Sequence, residues 1–409
     1  MSLIGQFLIS LFVISNCLFA QTGWFSPAAT TDELNTVFFA DSLNGWVGGT
    51  LSPGGSGIIR RTTDGGYTWE AQALPVTSSI SRVLFLNPHI GFALGGNGAI
   101  LKTTNAGQTW VQKPSGTNGA LASVFFFDTQ EGWACGGYNV LHTTDQGETW
   151  SADSVSAIAH WDIAFRNSQE GWLVGLYGSC YKTTNAGQNW NSISPPISGR
   201  SLFGVCFPSS SRGVIIGGDQ IACSSDGGDS WTTRYNTGGE QLNSVSFADS
   251  SVGWVVGSYK IVKSTNGGNT WITQPSPTPQ RYLVAVHCAD PLHAWAVGDQ
   301  IILKTIDGGG TTGVASFPSD LPKDFILFQN YPNPFNPQTT LRFTLPTRSR
   351  VVLSVFDVLG RQVARLINSE LNAGEHTFVF DANELANGIY IYRLETDRGS
   401  LSKKCLLLK

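Results

Sequence analysis

The chain has 409 residues, with 47 glycines, 13 tryptophans and only 13% charged residues. An apolar content of 41% supports a buried core and argues against disorder, while the formal charge of −4 offers no general attraction for nucleic acid or an anionic membrane surface. Ser, Thr, Gly, Val and Trp dominate, which points to strands joined by tight turns rather than to a helical bundle or a parallel α/β enzyme.

Residues 3–20, LIGQFLISLFVISNCLFA, form the only apolar stretch long enough to cross a bilayer. Ending at Ala20, just before Gln21-Thr22-Gly23, they read as a secretory signal peptide over 1–20, with a lipid anchor at Cys17 as the alternative. The mature chain then starts near Gln21, leaves the cytoplasm and carries no transmembrane helix.

From there the sequence repeats itself. Thr62-Thr63-Asp64-Gly65-Gly66-Tyr67-Thr68-Trp69 has relatives ending at Trp110, Trp150, Trp190, Trp231 and Trp271, and a seventh copy at 305–311 lacks its Trp. The Asp or Asn of each copy falls at Asp64, Asn105, Asp145, Asn185, Asp226, Asn266 and Asp307, so the spacings are 41, 40, 40, 41, 40 and 41 residues. In the sixth unit Leu242–Phe247 alternates like a strand, Gly253–Gly257 and Ile261–Lys263 follow, and Trp271–Gln274 reads as a fourth strand. Four antiparallel strands repeated seven times bury both faces only when stacked radially, as a seven-bladed β-propeller over 21–310. Residues 22–28, with Trp24-Phe25-Ser26-Pro27 resembling Trp110-Val111-Gln112-Lys113-Pro114, supply the strand that blade seven lacks and close the ring.

The pattern Ser/Thr-x-Asp-x-Gly-x-Thr-Trp resembles the Asp-box (BNR) repeat of sialidases, sortilins and some propeller glycosidases. With Gly-Trp about 20 residues before each box, residues 22–310 are similar to the photosystem II assembly and stability factor family, a seven-bladed Asp-box propeller. The resemblance implies the fold and leaves function open, because such repeats carry many unrelated activities. Free exchange of Asp for Asn among the seven boxes assigns that side chain a structural role as hydrogen-bond acceptor in an Asx-type turn, not a charge, a metal ligand or a catalyst. Three residues earlier come Arg61, Lys102, His142, Lys182, Cys223, Lys263 and Lys304, expected as a solvated outer strand whose stems cover the sheet, with a ring of positive charge as the alternative.

Ligands of propellers usually meet the opposite face, at the inner-strand starts and the loops between second and third strands. There Arg82 and the triplet His160-Trp161-Asp162 interrupt a run of small residues, the loops add Tyr138, Tyr177 and Tyr259, and Arg200, Arg234, Tyr235, Arg281 and Tyr282 are expected in the connections between blades. An aromatic and arginine-rich rim suits a peptide or a glycan. Glycoside hydrolysis needs two carboxyl groups about 5–10 Å apart, and here Asp162 is the one acidic inner-strand position, with Glu240, Asp219 and Asp299 as conceivable companions. Phosphate loops, metal-binding helices and nucleophile elbows are absent, so no cofactor or metal is expected. His287 and His293 read as ordinary surface residues. Six cysteines follow the signal segment and read as mostly buried thiols, with a Cys206–Cys223 bridge as a possibility left open.

After Gly310 the repeats stop. Residues 311–323 read as a linker, and 324–409, with 18 charged groups and a net charge of +2, alternate in the rhythm of an immunoglobulin-like β-sandwich. The run Asn330-Tyr331-Pro332-Asn333-Pro334-Phe335-Asn336-Pro337, then Asp357-Val358-Leu359-Gly360-Arg361, Gly388-Ile389-Tyr390 and Lys403-Lys404-Cys405-Leu406-Leu407-Leu408-Lys409 resemble the type IX secretion system C-terminal sorting domain of type A, with Cys405 where Met is usual. That resemblance implies export across the outer membrane by the type IX machinery, followed by removal of the domain or attachment to the cell surface. The whole chain therefore reads as an exported, non-catalytic propeller that binds a protein or glycan, or aids assembly, at the cell surface. The alternative is a secreted glycoside hydrolase with Asp162 as its acid.

Overall fold

Alternation of apolar and small polar residues in each repeat produces a meander of antiparallel strands, and for a steric reason a glycine opens the second strand of every blade but the seventh, where Ala294 stands. A Cβ on Gly45, Gly91, Gly132, Gly171 or Gly253 would stand 2.5 to 2.6 Å from the ring of Phe39, Phe85, Phe126, Phe165 or Phe247, the aromatic that ends the inner strand of the same blade. The computed structural model describes residues 23–310 and 326–408, apart from 53–54, 154–157, 198, 331–332, 334, 346, 348, 372–373 and 398. The expected signal peptide 1–20 and linker 311–323, with Pro334 and Lys409, lie outside the described residues.

Contacts divide the chain into two compact units, with the boundary after Thr312. The first holds six four-stranded sheets and one three-stranded sheet, each ordered as a simple meander. Inner strands run over Glu33–Phe39, Ile80–Phe85, Ser123–Phe126, His160–Phe165, Leu202–Cys206, Leu242–Phe247 and Leu283–Cys288. This is an all-β, seven-bladed propeller, and the second strands, such as Gly171–Gly175, are buried along their whole length.

Successive blades are joined by a repeated stack. Trp295 of blade seven lies flat on Phe39 of blade one with ring centroids 3.5 Å apart; Trp46 and Phe85, Phe92 and Phe126, and Trp133 and Phe165 repeat the stack at 3.7 to 4.6 Å, and Trp172 meets Phe207 at 4.3 Å with the rings tilted by 40°. The third-strand basic residue is the cross-strand neighbour of that Trp and covers its other face: Lys182 over Trp172, Lys263 over Trp254 and Lys304 over Trp295, at 5.0, 4.7 and 5.4 Å. The ammonium groups then donate to the Asp-box loop of the next blade, Lys102 to the Gln146 carbonyl at 2.7 Å and Lys263 to that of Gly308 at 2.8 Å. These cations are thus not a solvated fringe. Lys102 and Lys304 are only 5% and 4% exposed, and burial lowers the pKa of Lys263 and Lys304.

The boxes use their Asp and Asn alike. Asp64 Oδ1 accepts from the Thr68 N–H at 2.9 Å, and Asn105 Oδ1 accepts from the Thr109 N–H at the same distance, while Thr62 and Thr103 bond the Gly66 and Gly107 N–H groups at 2.9 Å. A carboxylate there is held well below its usual range. At Asp64 burial works upward and is outweighed by the Thr68 hydroxyl and N–H; at Asp145 the Thr149 hydroxyl leads, and both carboxyls sit at about 2.

At the seam, Phe25 and Lys304 exchange backbone hydrogen bonds of 2.9 and 2.8 Å, so the N-terminal segment serves as the fourth strand of blade seven. Gln274, 6% exposed, organises this joint: its Oε1 accepts from the indoles of Trp24 and Trp254 at 2.9 Å, and its Nε2 donates to the Gly308 carbonyl at 2.9 Å. One open possibility closes and one expectation changes. Cys206 pairs with Val214 and Val214 with Cys223, which puts a whole strand, roughly 10 Å, between the two cysteines; they are not bridged. His287 is half-buried and packed against blade one: its Nδ1 accepts from the Phe39 N–H at 3.2 Å, its ring lies 4.5 Å from Phe38, and desolvation with the Arg82 charge lowers its pKa to about 3.

The second unit is a β-sandwich, a three-stranded sheet and the four-stranded sheet Gln362–Leu371, Ser349–Phe356, Gly388–Thr396, Gly399–Leu407, sharing one core around Phe343, Leu353 and Tyr392.

Two outcomes follow from these joints. Gln274→Leu leaves two buried indole N–H groups unpartnered and lowers the unfolding free energy of the mature chain by about 3 kcal/mol in a urea titration. Because their carboxyl pKa values are depressed on folding, Asp64 and Asp145 contribute stability that is present above about pH 4 and lost as the pH falls through about 2. The drop in melting temperature between those pH values is therefore smaller in the Asp64→Asn, Asp145→Asn double variant than in the parent chain.

Candidate ligand-binding face

Each inner strand begins on the face that carries the loops between second and third strands, and what happens there depends on two positions. The residue two places into the strand points to the next blade: Thr36 Oγ1 accepts from the Val83 N–H at 3.1 Å, Ser244 Oγ from the Val286 N–H at 3.2 Å, and Asp162 Oδ2 from the Val205 N–H at 2.9 Å. Asp162 is therefore the acidic version of a structural link. Its other oxygen accepts from Ser123 Oγ at 2.6 Å, with Arg82 Nη2 4.0 Å away, so Arg82 and Asp162 meet beside the inner strands and offset each other's charge.

The residue one place in differs between blades. Asn35 and Asn243 donate to the Ile80 and Leu283 carbonyls of the following blades at 3.1 and 2.7 Å. In blades four and five this place is taken by Trp161 and Phe203, whose rings are 6.4 Å apart, and Trp161 is 38% exposed. Phe203 escaped the sequence reading, although its equivalence to Trp161 by repeat position was the available signal.

Three exposed aromatics converge on one backbone junction. The His160 N–H donates to the Gly137 carbonyl at 2.7 Å, and the Leu176 N–H to that of Ala159 at 2.9 Å, which brings the neighbours Tyr138, Trp161 and Tyr177 to the boundary of blades three and four. Tyr138 and Tyr177 are 65% and 77% exposed. Tyr177 also adopts φ 57°, a left-handed conformation that costs a bulky residue of order 1 kcal/mol. His160 lies beneath, fully buried and edge-on to Tyr181, and desolvation holds its pKa down to about 4, so the imidazole is neutral at physiological pH.

A second node joins blades six and seven. Ser258 bridges to Tyr282, Tyr259 is half-exposed at φ 64°, and the Tyr282 hydroxyl lies 3.2 Å from Asn243 Oδ1 and 3.1 Å from Gln241 Nε2. Arg281 donates to the Asp299 carbonyl at 3.5 Å. Arg234 does not join either node: it and Tyr235 sit on the outer strand Thr232–Asn236 of blade five, not in a connection between blades, because a bulge between Ile221 and Ala222 lengthens that strand. Among the other acids considered, Glu240 is ion-paired to Lys260 at 3.0 Å. Among the described residues no cluster of His, Cys, Asp or Glu has the geometry of a metal site.

Residues 62–158 and 190–278 match the family model of the Photosynthesis system II assembly factor YCF48, and residues 329–408 match that of the Secretion system C-terminal sorting domain. The ring is a YCF48-like propeller, and the second unit is a sorting domain. The sorting domain indicates export, to the cell surface or the medium. No curated protein is significantly similar to the chain. Among solved structures, YCF48 bound to D1 peptide is 19% identical, covering 70% of this chain and 97% of that one, with a TM-score of 0.58. PorZ, described as an essential surface component of the type-IX secretion system of Porphyromonas gingivalis, is 12% identical over 92% of this chain and 60% of its own, at 0.55. The GH74 xyloglucanase from Xanthomonas campestris is 12% identical over 86% and 63%, at 0.54. These likenesses establish the fold.

Strain in the YCF48-like ring gives a direct check on its aromatic face. Tyr177→Asn relieves the left-handed backbone and raises unfolding free energy by about 1 kcal/mol. A stability measurement in urea on the mature chain shows whether the tyrosine is held there at the expense of the fold.

Proposed function

We propose that the exported propeller is a non-catalytic binding module whose ligand, a protein or a glycan at the cell surface, docks on the face formed by blades three to five. The observation that carries this reading is that Tyr138, Trp161 and Tyr177 flank one backbone junction, all exposed and one of them in a strained backbone. Burying such rings in a partner yields large contact area at low conformational cost. The sorting domain supports a surface location, and the YCF48 propeller, solved with a D1 peptide, is a precedent for binding by this fold.

The rival reading is a secreted glycoside hydrolase, favoured by the likeness to a xyloglucanase. It requires Asp162 to act as proton donor, yet both oxygens of that carboxylate already accept hydrogen bonds that link blades three, four and five. Loss of Asp162 is thus expected to loosen the ring.

The deciding experiment pairs two assays on the mature chain. On glycan arrays and cell-envelope fractions, binding falls at least tenfold in Trp161→Ala and in Tyr177→Ala, while melting temperatures stay within a few degrees of the parent. Turnover of labelled polysaccharides and sialosides that disappears in Asp162→Asn, in protein that remains folded, would replace the binding module with an enzyme.

A further inference from the structure

Every large apolar side chain that the described part of the sorting domain leaves exposed lies at one end of one sheet. Val358 and Leu359 are 67% and 75% exposed on the hairpin that follows Ser349–Phe356; Ile389 and Leu408 are 49% and 50% exposed at the start of Gly388–Thr396 and just past the end of Gly399–Leu407. Antiparallel pairing brings these places together, since Phe356 faces Ile391, Ile391 faces Lys404, and Ile389 faces Leu406. Strand alternation extends the patch. Val355, Tyr390, Tyr392, Cys405 and Leu407 point into the core, so Phe356, Ile391 and Leu406 stand on the opposite face beside Ile389 and Leu408.

The residues that carry the resemblance to sorting domains converge on the same end, and most of them build it. Asn333 Oδ1 accepts from the Leu406 N–H at 2.9 Å, and Phe335 pairs with the end of the last strand while its ring is 2% exposed. The Tyr390 hydroxyl donates to the Ala386 carbonyl at 2.7 Å. Asp357 fixes the hairpin by accepting from the Leu359 and Arg361 N–H groups at 3.0 and 2.9 Å and from Arg361 Nε at 2.7 Å, with Gly360 at φ 79°. None of this scaffolding needs Val358 or Leu359 to be apolar. A rigid turn that holds two aliphatic side chains in water favours a partner, not the fold.

We propose that this apolar end is the surface by which the type IX export machinery grips the chain, through a component whose apolar site is edged by carboxylates. The charge around the patch supports that partner: Lys404 stands in the strip, Arg393 covers Phe356 at 4.8 Å, and Arg361 is exposed on the hairpin. The acids nearby are Asp357, held by Arg361, Glu395, 3.9 Å from Arg393, and Glu384 in the turn before Gly388. A second copy of the chain is a poorer occupant. The exposed apolar surface is on the order of 500 Å², in the range of a functional patch and below the roughly 800 Å² that each member of a stable pair buries.

The test uses the full chain, produced in a bacterium that possesses the type IX machinery, and reads the fraction reaching the cell surface or medium against that retained in the periplasm. Val358→Ser with Leu359→Ser, and separately Ile389→Ser with Leu408→Ser, cut the exported fraction at least tenfold without lowering the melting temperature of the purified chain. Lys404→Glu lowers export in the same direction, whereas Ile272→Ser, an equally exposed site on the ring, leaves it unchanged. Where one pair lowers the melting temperature the other decides, and Lys404→Glu decides if both do. Normal export of the folded variants overturns the proposal. So does a chain that is dimeric by light scattering, becomes monomeric on Leu359→Ser and is still exported, which assigns the end to a second copy.

Discussion

A basic residue, an aromatic ring, a phenyl ring and a glycine, taken in that order, hold blade to blade at most junctions of this ring, with Cys223 and Val214, then Cys288 and Ala294, replacing layers on the two sides of blade six. At the seam between blades seven and one the layers are Lys304, Trp295, Phe39 and Gly45. The layers depend on one another. The phenyl ring lies flat on the neighbouring indole only because a glycine beneath it has no Cβ, and the ammonium is tolerated at low exposure only because the indole face and the next blade's box carbonyls receive it. The Asp box then becomes intelligible as the element that presents those carbonyls, with its Thr and Asp or Asn side chains holding the backbone in the required turn.

This constraint fixes one face of the ring and leaves the other open to variation. The box face is committed to joining blades and repeats with little change. On the opposite face only the second residue of each inner strand and the tips of the loops are spared, and there the blades diverge. Asn35 and Asn243 close the junctions around them by hydrogen bonds to the next blade, whereas Trp161 and Phe203 leave theirs open and apolar. The same division separates the turns. Asn97 and Tyr177 occupy left-handed positions at 56° and 57°, but asparagine is at ease there and tyrosine is not.

Much of this was legible in the sequence because repetition supplies its own comparison. The spacing of the boxes gave the number of blades, exchange of Asp64 for Asn105 showed that the turn does not require a charge, and the likeness of Trp24-Phe25 to Trp110-Val111 located the closing segment that pairs with Lys304. What failed were inferences about direction. Lys102 and Lys304 alternate like outward-facing strand residues, but the outward face of a third strand abuts the next blade, which periodicity within one repeat does not reveal. His287 was misplaced for the same reason, since its partner Phe39 lies 248 residues away across the seam. Arg234 was assigned to a connection because the bulge that prolongs its strand leaves no mark on composition. Asp162 looked singular by chemistry and proved to be a variant of the Thr36 and Ser244 links, a role visible only once the Val205 N–H was placed beside it.

The two units solve opposite problems with the same rule about exposed apolar groups. In the ring, large apolar side chains outside the inter-blade stacks are scattered except at the boundary of blades three and four, where three exposed aromatic residues flank one backbone junction; in the sorting domain they are confined to one sheet end. A β protein that travels through the periplasm gains nothing from such patches, which invite edge-to-edge association. On the two proposals above, each is covered at some stage by something other than the chain itself. The hairpin Asp357–Arg361 belongs to a domain concerned with export, so its cover is needed in transit; the aromatic junction belongs to the delivered ring, so its cover is needed at the destination. That separation explains why the strain sits on Tyr177 and not in the hairpin. A positive φ at Gly360 costs nothing, whereas the same region at Tyr177 costs stability, which on the proposed function a ligand offsets.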